Sequence, residues 1–342
     1  MRVVALVHFY PPYKLAGSET MLHTMLKALK QAGHEVWVVT TDMIDAPERW
    51  TLDGIPAFCE RRQGHAVPLT RSLDPDVIIT HHTHAALGVQ TAREFGVPSV
   101  VIQHNTLDEH RVVMAMRPDL TVFNTEWIAR SWHTFLNGAR WMVIHPPVWP
   151  HEHATTPGGA VTLVNLNVNK GVHVFGHMAM LFPDVPFLGV EGAYGEQITV
   201  GMPTNVHIIS PTSDMRSQVW ARTRVLLMPS LYESYGMAAL EAMASGIPVI
   251  AHPTPGLREA LGPAGIYAER HSMQEWATAL RNLLRDPQAW QQASAAALAR
   301  SQALDPTDEL RQWVKAVESL SQENKDLMMA SGRVKPRGSH TV

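Results

Sequence analysis

Residues 225–251 constrain the fold more than any other stretch of the chain. Val225-Leu226-Leu227-Met228 is an apolar run of strand length. Residues 232–236 form a polar loop, and residues 237–245, rich in Ala, Met, Leu and Glu, favour helix. Gly246 stands where a helix C-terminal glycine belongs, and Pro248 follows it before a second apolar strand at 248–251. Strand, loop, helix and strand in so short a span make the repeating unit of a parallel α/β sheet.

Two carboxylates bring chemistry to this unit. Glu233 lies in the loop and Glu241 on the helix, with seven residues between them. Gly236 and Met237 set backbone N–H groups at the helix start, where unpaired donors and the helix dipole favour phosphate. Carboxylates accept hydrogen bonds from paired hydroxyls such as those of ribose and hexoses. The stretch therefore suits a nucleotide sugar. On spacing alone, an amphipathic helix with two solvated glutamates accounts for it equally well.

The chain has 342 residues, enough for two domains, and its 45% apolar content supports a substantial core. A net charge of −3 argues against a generally basic nucleic-acid surface. The single cysteine, Cys59, rules out an internal disulfide framework and fits a reducing compartment. Met1-Arg2 leads straight into an apolar strand without a signal-peptide pattern, and no run reaches the roughly 18 apolar residues of a membrane span. Nineteen histidines occur without HExxH or finger spacing, so no metal site is expected.

In chain order, residues 3–8 read as a strand buried on both faces. Pro11 and Pro12 impose a loop, Gly17 and Ser18 open a helix over 19–31, Gly33 ends it, and residues 34–40 form a second strand. The G-x-G-x-x-G dinucleotide fingerprint is absent at this first turn, which counts against hydride transfer with a nicotinamide. Strands follow at 55–59, 76–80, 99–102, 120–123 and 141–144. His81, His82 and His84 come just after one strand end, where open parallel sheets bind ligands, although polar packing is the preferred reading of each alone. His104 comes just after another strand and is balanced between a structural and a cleft-facing role. Asn124 caps a helix that runs to Phe135. Residues 145–159, with four prolines and two glycines, mark a linker. Beyond it the expected elements are strands at 161–166, 186–190 and 206–209, then helices at 213–222, 273–284, 287–301 and 306–321.

The string E-S-Y-G-M-A-A-L-E-A-M-A-S-G-I-P-V-I-A, with Pro-Ser shortly before it, closely resembles the Glu-x7-Glu signature of family 4 retaining glycosyltransferases. Ala16-Gly17-Ser18-Glu19 is similar to the family's glycine loop, and His104 to its strand-then-histidine element. The resemblance implies the GT-B fold, an α/β architecture of two Rossmann-like doubly wound domains facing across a cleft. It also implies roles. Glu233 would bond donor-sugar hydroxyls and Glu241 the ribose. Ser234 and the Tyr235, Gly236 and Met237 backbone would meet the sugar and diphosphate. Gly17 would approach the phosphates, and His104 would lie near the reaction centre. Lys170-Gly171 match the family's Gly-Arg-x4-Lys-Gly segment, whose Arg and Lys neutralise the diphosphate. The Arg position is Asn165 here, which offers a neutral donor in place of a charged fork.

The expected organisation is an acceptor-side domain at 1–148, a linker at 149–160 and a nucleotide-sugar domain at 161–304. A helix at 305–325 would pack back on the first domain, and 326–342 would be a disordered tail. The expected activity is metal-independent transfer of a hexose from a nucleotide-diphosphate sugar, the co-substrate, to an acceptor hydroxyl. The resemblance implies front-face attack with retention, needing no cofactor. The sequence leaves the acceptor open among a lipid-linked sugar, a glycan, a protein and a modified nucleobase. It also leaves the oligomeric state open, and a cytoplasmic setting, including the face of a membrane, is expected. Two alternatives stand beside it: a catalytically weak nucleotide-sugar-binding protein, motivated by Asn165, and a GT-B sugar-nucleotide epimerase.

Overall fold

A computed structural model describes residues 1–331 apart from Leu15, Asp42, Gln63, Ala193 and Tyr194. The expected tail lies outside the described residues from 332 onward. The chain divides into two compact units. Unit 1 holds residues 1–124, 128–144 and those from Thr307 on, and unit 2 holds 125–127 and 145–306.

Unit 1 is built on an eight-stranded sheet. Its strands are β1 (Arg2–Val7), β2 (Glu35–Thr40), β3 (Arg49–Leu52), β4 (Ile55–Cys59), β5 (Val77–His81), β6 (Ser99–Gln103), β7 (Leu120–Phe123) and β8 (Trp141–Val143). They are ordered β3-β4-β2-β1-β5-β6-β7-β8, with β3 alone antiparallel to its neighbour. The β3–β4 hairpin turns on Asp53-Gly54, both at positive φ (49° and 73°), the backbone such a two-residue turn requires. The helix Gly17–Gln31 buries Met21, Leu22, Met25, Leu26 and Leu29 along one stripe. It stops at Gly33, where the Gly33 and His34 N–H groups donate back to the carbonyls of Lys30 and Leu29.

Unit 2 carries a six-stranded, wholly parallel sheet. Its strands are β9 (Ala160–Val164), β10 (Phe187–Val190), β11 (Val206–Ile209), β12 (Thr223–Met228), β13 (Val249–Ala251) and β14 (Ile266–Tyr267), in the order β11-β10-β9-β12-β13-β14. Along β12, Leu226 and Met228 enter one hydrophobic cluster, and Val225 and Leu227 the other. Along β13, Val249 and Ala251 are likewise divided from Ile250. Both faces of the sheet are covered, which is why these strands read as unbroken apolar runs.

The last helix runs from Thr307 to Ala330, farther than the sequence indicates, so residues 326–330, expected in a tail, are helical. It belongs to unit 1. Leu310, Trp313, Val317 and Leu320 form its buried stripe, and the Trp313 indole N–H donates to the Met25 carbonyl at 3.0 Å. Among the described residues no helix is long and apolar enough to cross a membrane.

Trp313 fills the seam between the last helix and the helix Gly17–Gln31, and it is wholly buried. Trp313→Ala should destabilise unit 1 by about 3–5 kcal/mol, and Trp313→Phe, which loses mainly the hydrogen bond, by about 1 kcal/mol. Urea titration followed by circular dichroism would read both, and equal midpoints for Trp313→Ala and wild type would refute the seam.

Candidate active site

In unit 2 the strand order reverses at β9, which has β10 on one side and β12 on the other. Open parallel sheets bind ligands beyond the C-terminal ends of strands at such a point. The loops leaving β9 and β12 carry Asn165 to Lys170 and Pro229 to Gly236.

The Lys170 ammonium pairs with the Glu233 carboxylate, and both side chains are largely buried. Ser230 Oγ also donates to Glu233 at 2.9 Å. Two residues given separate roles by resemblance, one for phosphate and one for sugar, are thus brought into direct contact. Gly171 makes the approach possible. It adopts φ 89°, and a Cβ there would fall 2.5 Å from Pro229 Cγ.

Asn165 serves its own loop. It is buried at positive φ (71°), and its side-chain oxygen accepts from Asn167 Nδ2 at 2.9 Å and Gln197 Nε2 at 2.8 Å. Gln197 in turn accepts from the Leu166 and Gly192 N–H groups, and Asn167 accepts from the Lys170 N–H at 2.8 Å. Asn165 therefore shapes the turn that presents Lys170, and it adds no charge.

Arg270, which the sequence reading passed over, holds the two loops together. It is 3% exposed. Its guanidinium donates to the carbonyls of Val168 (2.6 Å), Asn169 (3.1 Å) and Pro229, so it spans from the β9 loop to the β12 loop. Burial lowers its pKa. The signal was its place just after β14, at the same sheet edge as the other loops.

Gly236 caps the helix Met237–Met243 at φ 100°, and a Cβ there would meet Leu257 at 2.7 Å. Glu241 lies on this helix. Burial pushes its carboxyl up to about 7. Tyr235 is packed in the core, so the backbone is its available contribution, and the Ser234 carbonyl accepts from the Trp127 indole at 2.8 Å. Glu259, on the helix Pro255–Leu261, is a polar hub. It accepts from the backbone N–H groups of Glu126 (2.6 Å) and Trp127 (2.9 Å) and pairs with His145 Nε2 at 2.9 Å. Burial alone would raise its pKa, but these donors outweigh burial and hold it below the usual range.

Gly17 and His104 lie in unit 1. Gly17 is the first residue of its helix. His104 follows β6, is 6% exposed and sits 3.1 Å (Nε2) from His81 Nδ1. Burial, reinforced by His82 and His110, holds its pKa well below the ordinary value. The sequence left its protonation open; here the imidazole is neutral at pH 7.

Residues 15–151 match the family model described as Glycosyltransferase Family 4, and residues 187–286 match Glycosyl transferases group 1. The chain belongs to the family 4 glycosyltransferases. This family 4 chain is similar to D-inositol 3-phosphate glycosyltransferases of Streptosporangium roseum (38% identical over 101 residues) and Rhodococcus opacus (36% over 92). Those stretches cover 29% and 26% of this chain and just 23% and 21% of the relatives' own length. In fold it resembles a sucrose-phosphate synthase from Thermosynechococcus elongatus (TM-score 0.77, 15% identity, 94% of this chain and 99% of the other). It also resembles Anabaena HepE in complex with UDP-glucose (TM-score 0.76, 19% identity, 93% and 100%). Two α/β units with parallel sheets and these neighbours establish the GT-B fold.

Arg270→Met should remove the clasp between the two loops of this family 4 site and cost about 2–4 kcal/mol of stability. Arg270→Lys keeps the charge but loses the planar fork, so it should recover less than half of that. Thermal unfolding of the three proteins side by side would test it; a lysine variant as stable as wild type would show that charge alone suffices.

Proposed function

We propose that the chain is a retaining glycosyltransferase that moves a hexose from a nucleotide-diphosphate sugar to an acceptor hydroxyl. The observation that carries this reading is the Lys170–Glu233 pair at the strand-order reversal of unit 2, with Glu241 following on the next helix. The HepE complexes with UDP-glucose, and with UDP and glucose, support a nucleotide-sugar donor.

In the resting protein Lys170 and Glu233 neutralise each other. A donor diphosphate competes for the ammonium, and as Lys170 turns to phosphate the Glu233 carboxylate becomes free to accept from sugar hydroxyls. One binding event thus charges both halves of the site. The diphosphate is neutralised by Lys170 and oriented backbone N–H groups in place of a divalent ion. Departure of the diphosphate leaves an oxocarbenium-like sugar, and a departing phosphate oxygen takes the proton of the hydroxyl attacking from the same face. The side chains orient the reactants and support the leaving group. His104, being neutral, acts as a hydrogen-bonding group and not as a cation.

Asn165 favours a second reading, a donor-binding protein with little turnover, because its side-chain oxygen is committed to Asn167 and Gln197 where a phosphate-binding arginine was expected. Assay of UDP-glucose with an acceptor panel distinguishes the two. For the transferase, Glu233→Ala should lower kcat at least 100-fold and Glu241→Ala should chiefly weaken donor binding. Tight binding of UDP-glucose and no turnover with any acceptor would support the second reading.

Glu241 gives a pH test. Its ionised form is the better partner for a ribose diol, and its carboxyl titrates near 7. UDP-glucose affinity should therefore fall by up to about tenfold per pH unit below 7 and level off above it, whereas Glu241→Gln should show no such slope. The stability sign runs the other way. A carboxyl raised from 4.5 to about 7 costs nothing below the lower value and its full penalty above the upper one. Glu241→Gln should consequently raise Tm at pH 8 and leave it nearly unchanged at pH 4. Parallel slopes for the two proteins in calorimetric titration would remove Glu241 from the ribose site.

A further inference from the structure

Six histidines of unit 1, counted among the described residues, gather at one edge of its sheet. His8 follows β1, His81 ends β5 with His82 and His84 just after it, His104 follows β6, and His110 lies a few residues on. Their rings form one chain of contacts. Centroids are 4.8 Å apart for His81–His82 and for His82–His104, 5.2 Å for His81–His104, 5.7 Å for His8–His82, 6.0 Å for His8–His84 and 6.2 Å for His82–His110. β1 and β5 are the strands between which the order of this sheet reverses.

Nothing in the sugar-transfer reading requires so many imidazoles in one place, and two features of the cluster are costly. His82 adopts φ 49°, a left-handed conformation that is unfavourable for a non-glycine residue. His81 is wholly buried, and its Nε2 has no hydrogen-bond partner. An unmet buried nitrogen is destabilising. Hydrogen bonds within the protein therefore do not complete the cluster, and such costs persist where a site is held ready for a ligand.

We propose that His81, His82 and His104 form a binding site for one divalent transition-metal ion of the zinc class. One nitrogen from each of the three lies within 4.8 Å of the others. With Zn–N bonds of about 2.0–2.1 Å, the edge of a tetrahedral site is about 3.3 Å. His81 Nδ1 and His104 Nε2 already stand 3.1 Å apart, so moderate ring rotation of His82 completes a face. Metals bind the neutral imidazole, and all three rings lie at least partly buried. An all-imidazole set suits zinc, copper, nickel and cobalt over magnesium or calcium. Three protein ligands leave a coordination position open to water. The site lies wholly in unit 1 and is independent of the donor reading in unit 2. It differs in kind from a metal on the donor diphosphate. A metal here occupies His104, so metal binding and sugar chemistry at that ring exclude each other.

The test uses the full chain without a histidine tag, stripped with chelator and titrated with Zn2+ by calorimetry and with Co2+ by visible absorption. Expected are one saturable equivalent of zinc, the intense d–d bands of four-coordinate cobalt, and a rise in Tm on adding zinc. His82→Asn, which keeps a residue tolerant of positive φ, and His104→Gln should each weaken binding at least 100-fold. His151→Ala with His153→Ala, outside the cluster, should leave binding unchanged. Wild-type affinity in His82→Asn, loss of binding in the 151/153 variant, or no saturable equivalent in wild type would each overturn the proposal. Because the readouts are stoichiometry and spectra, they are separate from any assay of transfer.

Discussion

Apart from β3, the strands of each sheet run in one direction, and helices cover both faces of the unit 2 sheet. Covered faces leave the sheet edge as the place where side chains can meet a ligand, and parallel strands deliver all their C-terminal loops to the same edge. This constraint puts Asn165, Lys170, Glu233 and Arg270 together although more than one hundred residues separate the first from the last. It also brings His8, His81 and His104 together in unit 1.

At the unit 2 edge the loops are stitched by a guanidinium that meets backbone carbonyls. A carbonyl dipole solvates a buried cation without cancelling its charge, so Arg270 keeps a positive field beneath loops expected to receive a diphosphate. This bears on the missing arginine at 165. The turn needs a residue that accepts positive φ and receives two amide donors, which Asn does at little cost and Arg does not. Charge lost at 165 is thus balanced in part by charge fixed at 270.

The strands were legible because double-sided burial writes itself as unbroken Val, Ile and Leu. The strands β3 and β14 were not: R-W-T-L at an exposed edge has no such run, although Asp53-Gly54 was a hairpin signal in plain view, and Ile266-Tyr267 is too short for one. The helix Ala85–Phe95 was also missed, because its start is merged with the H-H-T-H cluster and Gly88 interrupts its pattern. At the site, the Glu233 and Lys170 motifs were legible as motifs, but their contact was not. It depends on Gly171 lying against Pro229, a pairing that no local spacing encodes. Glu259 carried no signal because its partners, the N–H groups of Glu126 and Trp127, are backbone atoms without a sequence signature. HExxH and finger spacings place their residues on one helix or one knuckle, whereas His81, His82 and His104 stand at the ends of two strands, so no local spacing encodes their proximity.

The His81–His104 contact also fixes which atoms can act. Between two neutral imidazoles 3.1 Å apart one nitrogen donates and the other accepts. A buried N–H without an acceptor is rarer than a buried acceptor without a donor. Without a metal, since His81 Nε2 has no hydrogen-bond partner, it is the better place for a bare lone pair, and the proton belongs on His81 Nδ1, donating to His104 Nε2; a metal bound by those two nitrogens would require that proton to shift to His81 Nε2. His104 must then carry its own proton on Nδ1. The ring can offer an N–H to an oxygen without bearing charge, and burial keeps it from becoming a general acid near pH 7. A histidine so placed can offer a hydrogen bond to an anionic oxygen, but its N–H is too weak an acid to be transferred near pH 7.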